Sequence, residues 1–348
     1  MSNPHASSDQ HSRIPVTVVG GDAGAGKTSL VRNLLEQSDG RRVVGVVSET
    51  AVIDPLLVAR REGRQFVLQN GCRYVITDDD DAATVLAALA DQAERPDHVI
   101  IDGSGVIDPR RLTGYGYMPG YCLDGAIVVL DAQRVLRSSG ESAGNWQLRE
   151  HAIVADVVML NKVDLVGDGE ADEAQRIVER MVPSARVVCC EHSRISPPLI
   201  LGASAHPEVV DARTVVAEWK SDFMPFRSRP RISPRSGGFL AGEKHRAWCL
   251  VSDAPIDGRE FRSWVSKLPP QILCGRGAVY LRDEPQHRQT FHLLGSRWRL
   301  ERGAPWGSER PSTRLTLAGL GGGRRASRRD RSLGGDDAAT PSLEDEVA

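Results

Sequence analysis

The chain has 348 residues, 40% of them hydrophobic and 26% charged, with a net charge of −2. That size predicts about two domains of an ordinary globular protein. The near-neutral balance excludes a global basic field for nucleic acid, and no apolar run reaches the roughly 18 residues of a membrane span. The polar start, MSNPHASSDQHSR, has no apolar h-region of a secretory signal. Six scattered cysteines (Cys72, Cys122, Cys189, Cys190, Cys249 and Cys274) read as free thiols in a reducing compartment. A cytoplasmic protein without membrane or nucleic-acid partners is expected.

Residues 1–14 read as a disordered tail. From there to residue 220, short β-branched runs alternate with helical patterns. Strands are predicted at Val16–Val19, Val43–Val47, His98–Asp102, Ala126–Leu130, Val157–Leu160 and Arg186–Cys189. Helices are predicted at Ser29–Glu36, Ala82–Gln92 and Ala171–Met181. This alternation predicts an α/β domain with a mainly parallel sheet. Residues 221–240, rich in Pro, Gly and Arg, read as a linker.

Residues 241–320 change character. Strands are predicted at Trp248–Val251, Gln271–Leu281, Gln289–Leu294, Arg297–Leu300 and Thr313–Leu317, with one amphipathic helix at Asp257–Leu268. The expectation is a smaller α+β domain with Trp264, Trp298 and Trp306 in its core. Residues 321–348, a basic block followed by an acidic one, read as a disordered tail.

The chemistry concentrates in three stretches. Gly21, Asp22, Ala23, Gly24, Ala25, Gly26, Lys27, Thr28 and Ser29 span the pattern G-x-x-x-x-G-K-[ST] between a strand and a helix. Glycines let N–H groups turn inward around phosphate oxygens. The helix start favours negative charge. Lys27 is expected on the β/γ-phosphates and Thr28 on Mg²⁺. DHVIIDGSGVIDP then ends a buried strand in Asp102, which would hold Mg²⁺ directly or through water. Gly105 is the candidate for sensing the γ-phosphate. The third stretch, DVVMLNKVDLV, contains Asn161, Lys162 and Asp164 as N-K-x-D. An aspartate carboxylate only accepts hydrogen bonds, and guanine presents adjacent N1–H and N2–H₂ donors. Asp164 therefore selects guanine over adenine, and the expected cofactors are GTP and Mg²⁺. A P-loop kinase would explain the first stretch but not the third. Between the first two, Glu49 and Asp54 are acidic candidates for a metal-sensing switch.

With these residues, the chain resembles the CobW-like family of P-loop GTPases and metallochaperones. GGDAGAGKTSLVRNLL, QNGCRYV, VIIDGSGVIDPRRL, LDGAIVVLDAQ, LNKVDLV, GRGAVYL, GSRWRLE and APWG carry the resemblance over roughly residues 15–319. It implies a GTPase domain, a smaller C-terminal domain that meets a metalloprotein client, and handling of Zn²⁺ or Co²⁺. The chain departs from the family at its three-thiol motif, of which Cys72 survives, followed by Arg73, Tyr74 and Val75. One thiolate is far from the closed sulfur shell that zinc favours. Other metal ligands would come from distant positions such as Glu49, Cys122, His192 and His245. The reading is a slow GTPase, since no arginine finger or water-positioning glutamine is assigned, which assists metal delivery. The alternative is a GTP-dependent protein-interaction switch without metal transfer. Cys189 and Cys190 are adjacent on a strand and so point to opposite faces. At least one belongs to the core, with the turn beyond them near the guanine site.

Overall fold

The computed structural model describes residues 13–38, 40–47, 55–77, 81–103, 109–138, 149–150, 152–201, 231–235 and 245–320. The candidates Glu49, Asp54 and Gly105 lie outside these residues, and so does the side chain of His245.

In the first part, nine strands form one sheet in the order β3-β4-β5-β2-β6-β1-β7-β8-β9. β1 (Ile14–Gly21), β2 (Val43–Val47), β6 (His98–Asp102), β7 (Tyr121–Asp131), β8 (Val157–Asn161) and β9 (Arg186–Cys189) are the predicted strands, with β7 longer than expected. β3 (Val58–Glu62), β4 (Gln65–Leu68) and β5 (Arg73–Ile76) were not predicted. β3, β4 and β5 pair antiparallel, and β5 joins the parallel part beside β2. β3 is an exposed edge rich in arginine, so it lacks the apolar alternation that marks a half-buried strand. β2, β6 and β8 are buried along their whole length, as parallel strands covered on both faces must be.

The helices are α1 (Lys27–Glu36), α2 (Ala82–Ala90), α3 (Pro109–Tyr115), α4 (Ala132–Ser138), α5 (Asp168–Met181) and α6 (Pro197–Leu201). α1 turns Leu30, Val31, Leu34 and Leu35 into the core, an i, i+3/i+4 stripe. β1 lies between β6 and β7, and the chain leaves it for β2 on one side while β7 leads to β8 on the other. The carboxyl end of β1 is thus a topological switch point, where open α/β sheets bind ligands.

The second part is a six-stranded antiparallel sheet, order β10-β11-β15-β12-β13-β14, with one helix. Its strands are β10 (Arg231–Arg235), β11 (His245–Ser252), β12 (Ile272–Val279), β13 (His287–Leu294), β14 (Arg297–Pro305) and β15 (Thr313–Leu320). The predicted helix is α7 (Gly258–Val265), capped by the Asp257 carboxylate, which accepts from Arg259 N at 2.8 Å and Glu260 N at 3.2 Å. Phe261 and Trp264 are buried in this core, Trp306 is buried nearby, and Trp298 is partly buried against the core. One expectation needs correction: β10 falls inside the predicted linker 221–240. Its Pro234 sits on an edge strand, the place where a sheet tolerates a residue without an N–H.

The two sheets share a core. Leu273, Cys274, Leu294 and Ala318 pack in one cluster with Leu30, Ile127 and Met159. Gly295 has φ of 59°, and a Cβ there would stand 2.0 Å from Asp156 O. Only glycine allows this turn to meet the start of β8 so closely. Around it, Arg297 Nε binds Asp156 Oδ2 at 2.8 Å, and Arg276 reaches Asp124 Oδ2 at 2.6 Å.

Candidate nucleotide site

The loop from Gly21 to Gly26 joins the carboxyl end of β1 to α1. Gly26 sits in the left-handed region, and a Cβ there would lie 2.5 Å from Asn161 Nδ2. Glycine is required because two loops meet at that point. Ala23 and Gly24 are exposed at the loop's tip, while Asp22 and Ala25 are buried, and Ser29 is half-buried on the first turn of α1.

Lys27 is buried and donates from Nζ to Asp22 O at 2.9 Å. Burial lowers its pKa, while Asp102 and Asp22 act in the opposite direction. The Asp22 carboxylate is in turn 3.3 Å from Arg134 on α4. Arg134 carried no signal in the sequence, since an isolated arginine on a helix has no spacing to mark it.

Thr28 Oγ1 donates to Asp102 Oδ2 at 2.8 Å, and Asp102 Oδ1 is buried without a hydrogen bond to any described residue. Desolvation pushes the Asp102 carboxyl up to about 6, against the pull of Thr28 and Lys27. A hydroxyl beside a buried carboxylate with one oxygen unsatisfied is a hard-oxygen donor set that fits Mg²⁺. The ion would supply charge neutralisation for the phosphates. Thr28 and Asp102 would hold it, and Lys27 would meet the phosphate oxygens.

On the other flank, Asn161 ends β8 and braces the phosphate loop. Its Nδ2 donates to Ala25 O and to Ser193 Oγ, both at 2.8 Å. Lys162 follows with φ of 61°, and its Nζ pairs with Asp131 Oδ2 at 2.8 Å. Asp164 lies in the short turn Val163–Leu165, and its Oδ1 is buried without a hydrogen bond to any described residue. It is the acceptor that the guanine reading requires.

The structure adds a further loop. Ser193 is fully buried; it donates from N to Asn161 Oδ1 at 2.8 Å and from Oγ to Gly26 O at 2.9 Å. Asn33 of α1 donates to the His192 and Ser193 carbonyls, both at 3.1 Å. The loop after β9 therefore ties the phosphate loop to the Asn161 turn. The turn after the two cysteines lies against Asn161, and the cysteines face opposite ways as expected: Cys190 packs under it in the central core and Cys189 packs on the opposite face against α5. Ser193 itself was missed, since one serine after CCEH has no recognisable spacing.

The nucleotide-binding domain model of the CobW/HypB/UreG family matches residues 15–189, and the CobW C-terminal domain model matches residues 245–329. The chain belongs to the CobW family. Its relatives include the zinc chaperone CobW of Sinorhizobium sp., 27% identical over 56% of this chain and 64% of that protein. The zinc chaperone YjiA of Escherichia coli K12 is 23% identical over 88% of this chain and 94% of its own. The zinc-regulated GTPase metalloprotein activator 1 of Schizosaccharomyces pombe is 25% identical over 52% of this chain and 47% of its own. The chain thus spans nearly all of YjiA, but less than two thirds of the other two. A crystal structure of Zn(II)-bound YjiA GTPase superposes with a TM-score of 0.42 at 20% identity, covering 92% of this chain and 96% of that one.

Within the CobW frame, Cys72 has an inward role. It is fully buried, and its thiol faces Arg41 O at 3.3 Å and Ser38 O at 3.9 Å. Asn70 reinforces the same corner, donating to Leu35 O at 2.7 Å. Arg73 turns away to Gln92 Oε1 at 2.8 Å. The structure therefore does not present Cys72 as a surface metal ligand. Cys122 is also buried, with its thiol pushed up to about 11 by desolvation, and His192 is exposed on its loop. Among the described residues, no group of three or more His, Cys, Asp and Glu side chains could hold a metal ion. No described helix is long and apolar enough to cross a membrane.

Proposed function

We propose that this chain binds Mg·GTP, hydrolyses it slowly, and uses the cycle to assist delivery of zinc, or the related ion Co²⁺, to a metalloprotein. The observation that carries the nucleotide reading is the pair of buried carboxylate oxygens without a partner among the described residues, Asp102 Oδ1 and Asp164 Oδ1, flanking one braced phosphate loop. The first suits a hard cation and the second suits guanine N–H donors. Gly105, just beyond Asp102, takes the γ-phosphate in this reading. Zinc is supported by the relatives, two named zinc chaperones and one a zinc-regulated activator, and Co²⁺ by its likeness to zinc as a borderline cation. They are cargo, held by groups other than the buried Cys72, with Glu49 as the candidate carboxylate. The domain formed by β10–β15 and α7 is the part that meets the client. Residues 15–220 act as the GTPase unit, and 241–320, extended by β10, as the client-facing unit.

The test is GTP turnover by the purified chain and by Lys27→Ala, each with and without low-micromolar Zn²⁺ or Co²⁺, alongside transfer of zinc to an apo-metalloprotein. Turnover lost in Lys27→Ala and transfer that needs GTP are expected. Normal turnover in Lys27→Ala would sink the nucleotide reading. GTP-dependent partner capture with no metal transfer would replace delivery by a metal-independent interaction switch.

A further inference from the structure

A cavity of about 440 Å³ opens between the two domains, at the end of the parallel sheet opposite the phosphate loop. One wall is the start of β7 with the loop 116–120 before it. The other wall is the face of β13 and β14 that carries His292, Arg297, Arg299 and Glu301. His292 and Arg299 are cross-strand partners, so their side chains project from the same face. Arg13 and Tyr117 stand at the rim, and Tyr117 is largely exposed.

Three observations give this cavity a ligand chemistry. First, its lining holds three arginines, Arg13, Arg297 and Arg299, and two carboxylates, Asp124 and Glu301, with Asp156 paired to Arg297 at 2.8 Å and Glu301 to Arg299 at 3.3 Å; with Arg276 counted as well, four arginines stand against three carboxylates. Asp124 is already shared, because Arg276 lies 2.6 Å from one oxygen and Arg299 lies 3.6 Å from the other. Second, the neighbouring rings are held neutral, first by burial and then by the nearby arginines. The His292 imidazole is pushed down to about 3 by burial and by Arg299 and Arg276, and the buried His98 is depressed by burial and the same arginines. Third, His292 Nδ1 is buried and makes no hydrogen bond with any described residue. A polar atom in that state is costly unless a partner comes to it.

We propose that the interdomain cavity binds a small organic monocarboxylate, its anionic group against the arginines and its apolar body along the 116–120 loop. Guanidinium forks match a planar carboxylate in two-point geometry. Met118 and Pro119 supply apolar lining, and Cys122 a neutral thiol. Asp124 and Glu301 oppose an anion of higher charge, which sets a carboxylate apart from inorganic phosphate. The site is separate from the nucleotide loop, and its occupation does not depend on the GTPase reading.

The experiment uses the full chain with benzoate, benzamide and inorganic phosphate as probes. Binding is followed by saturation-transfer NMR and by the His292 ring resonances, assigned with His292→Gln. Benzoate should bind at least about tenfold more tightly than benzamide, consistent with one charge-assisted contact, and should shift the His292 resonances. Arg13→Ala and Tyr117→Ser, at exposed positions, should each weaken benzoate severalfold and leave GTP affinity unchanged. Equal binding of benzoate and benzamide, tighter binding of phosphate, or an unmoved His292 ring would each overturn the assignment.

Discussion

Thr28 Oγ1 donates to Asp102 Oδ2 at 2.8 Å, joining the first turn of α1 to the last residue of β6. The contact leaves the other Asp102 oxygen buried and without a hydrogen bond to any described residue, and burial pushes its carboxyl up to about 6. Because that value lies above the unfolded one, the folded protein holds the proton more tightly. The protonated carboxyl therefore favours the metal-free fold at low pH, and this contribution is lost as pH rises from about 4 through 6. Asp102→Asn should raise the melting temperature of the nucleotide-free protein at pH 7.5 and abolish Mg²⁺-dependent turnover. In the wild type, the apparent Mg²⁺ affinity should fall as pH drops below 6, since ion and proton compete. Calorimetry and turnover from pH 5 to 8 would check both signs. A mutant that melts lower at pH 7.5 would contradict the desolvation account.

Asp164→Asn turns the acceptor that the proposed function sets against guanine into a mixed donor and acceptor. Loss of hydrogen bonds to a charged group costs about 1.5–3 kcal/mol, or roughly ten- to a hundredfold in GTP affinity. XTP, which offers an acceptor in place of the guanine N2 donor, should gain in the mutant. Titrations of GTP, ATP and XTP decide it. A wild type that binds ATP as well as GTP would reject the base assignment.

Ser193→Ala removes the hydroxyl that bridges Asn161 Nδ2 and Gly26 O. The expected loss is about 1 kcal/mol, seen as a several-fold weaker GTP affinity with the fold retained. Unchanged nucleotide affinity would show that the loop after β9 does not preorganise the site.

Cys72→Ala tests the inward role of that thiol. A small buried group is lost, so stability should fall by about 1–2 kcal/mol, while GTP turnover per folded molecule should stay the same. In the native wild type, Cys72 should react slowly with a thiol reagent. Stoichiometric zinc in the purified wild type that disappears in Cys72→Ala would show that the corner opens to expose the ligand.

Much of the fold and the nucleotide loop was legible in the sequence because each signal there is local. Buried parallel strands are continuous β-branched runs, α1 carries its stripe at helical spacing, and G-x-x-x-x-G-K-T is set by backbone conformation within a few residues. The Asn161–Asp164 turn is legible for the same reason. The edge strands β3 and β10 were not, because charged or proline-bearing edges carry no alternation.

The tertiary structure alone decided what meets what across long separations. It placed Ser193 on Gly26, Arg134 on Asp22 and Arg297 on Asp156, pairs with no shared spacing in the chain. It also decided the direction of Cys72. A lone cysteine in the sequence has no side, and the packing of α1 and β2 around it turned the thiol into the core. Sequence patterns record what one element needs from its own backbone and solvent. Contacts between elements depend on how the sheets are layered, and that information is distributed over the whole chain.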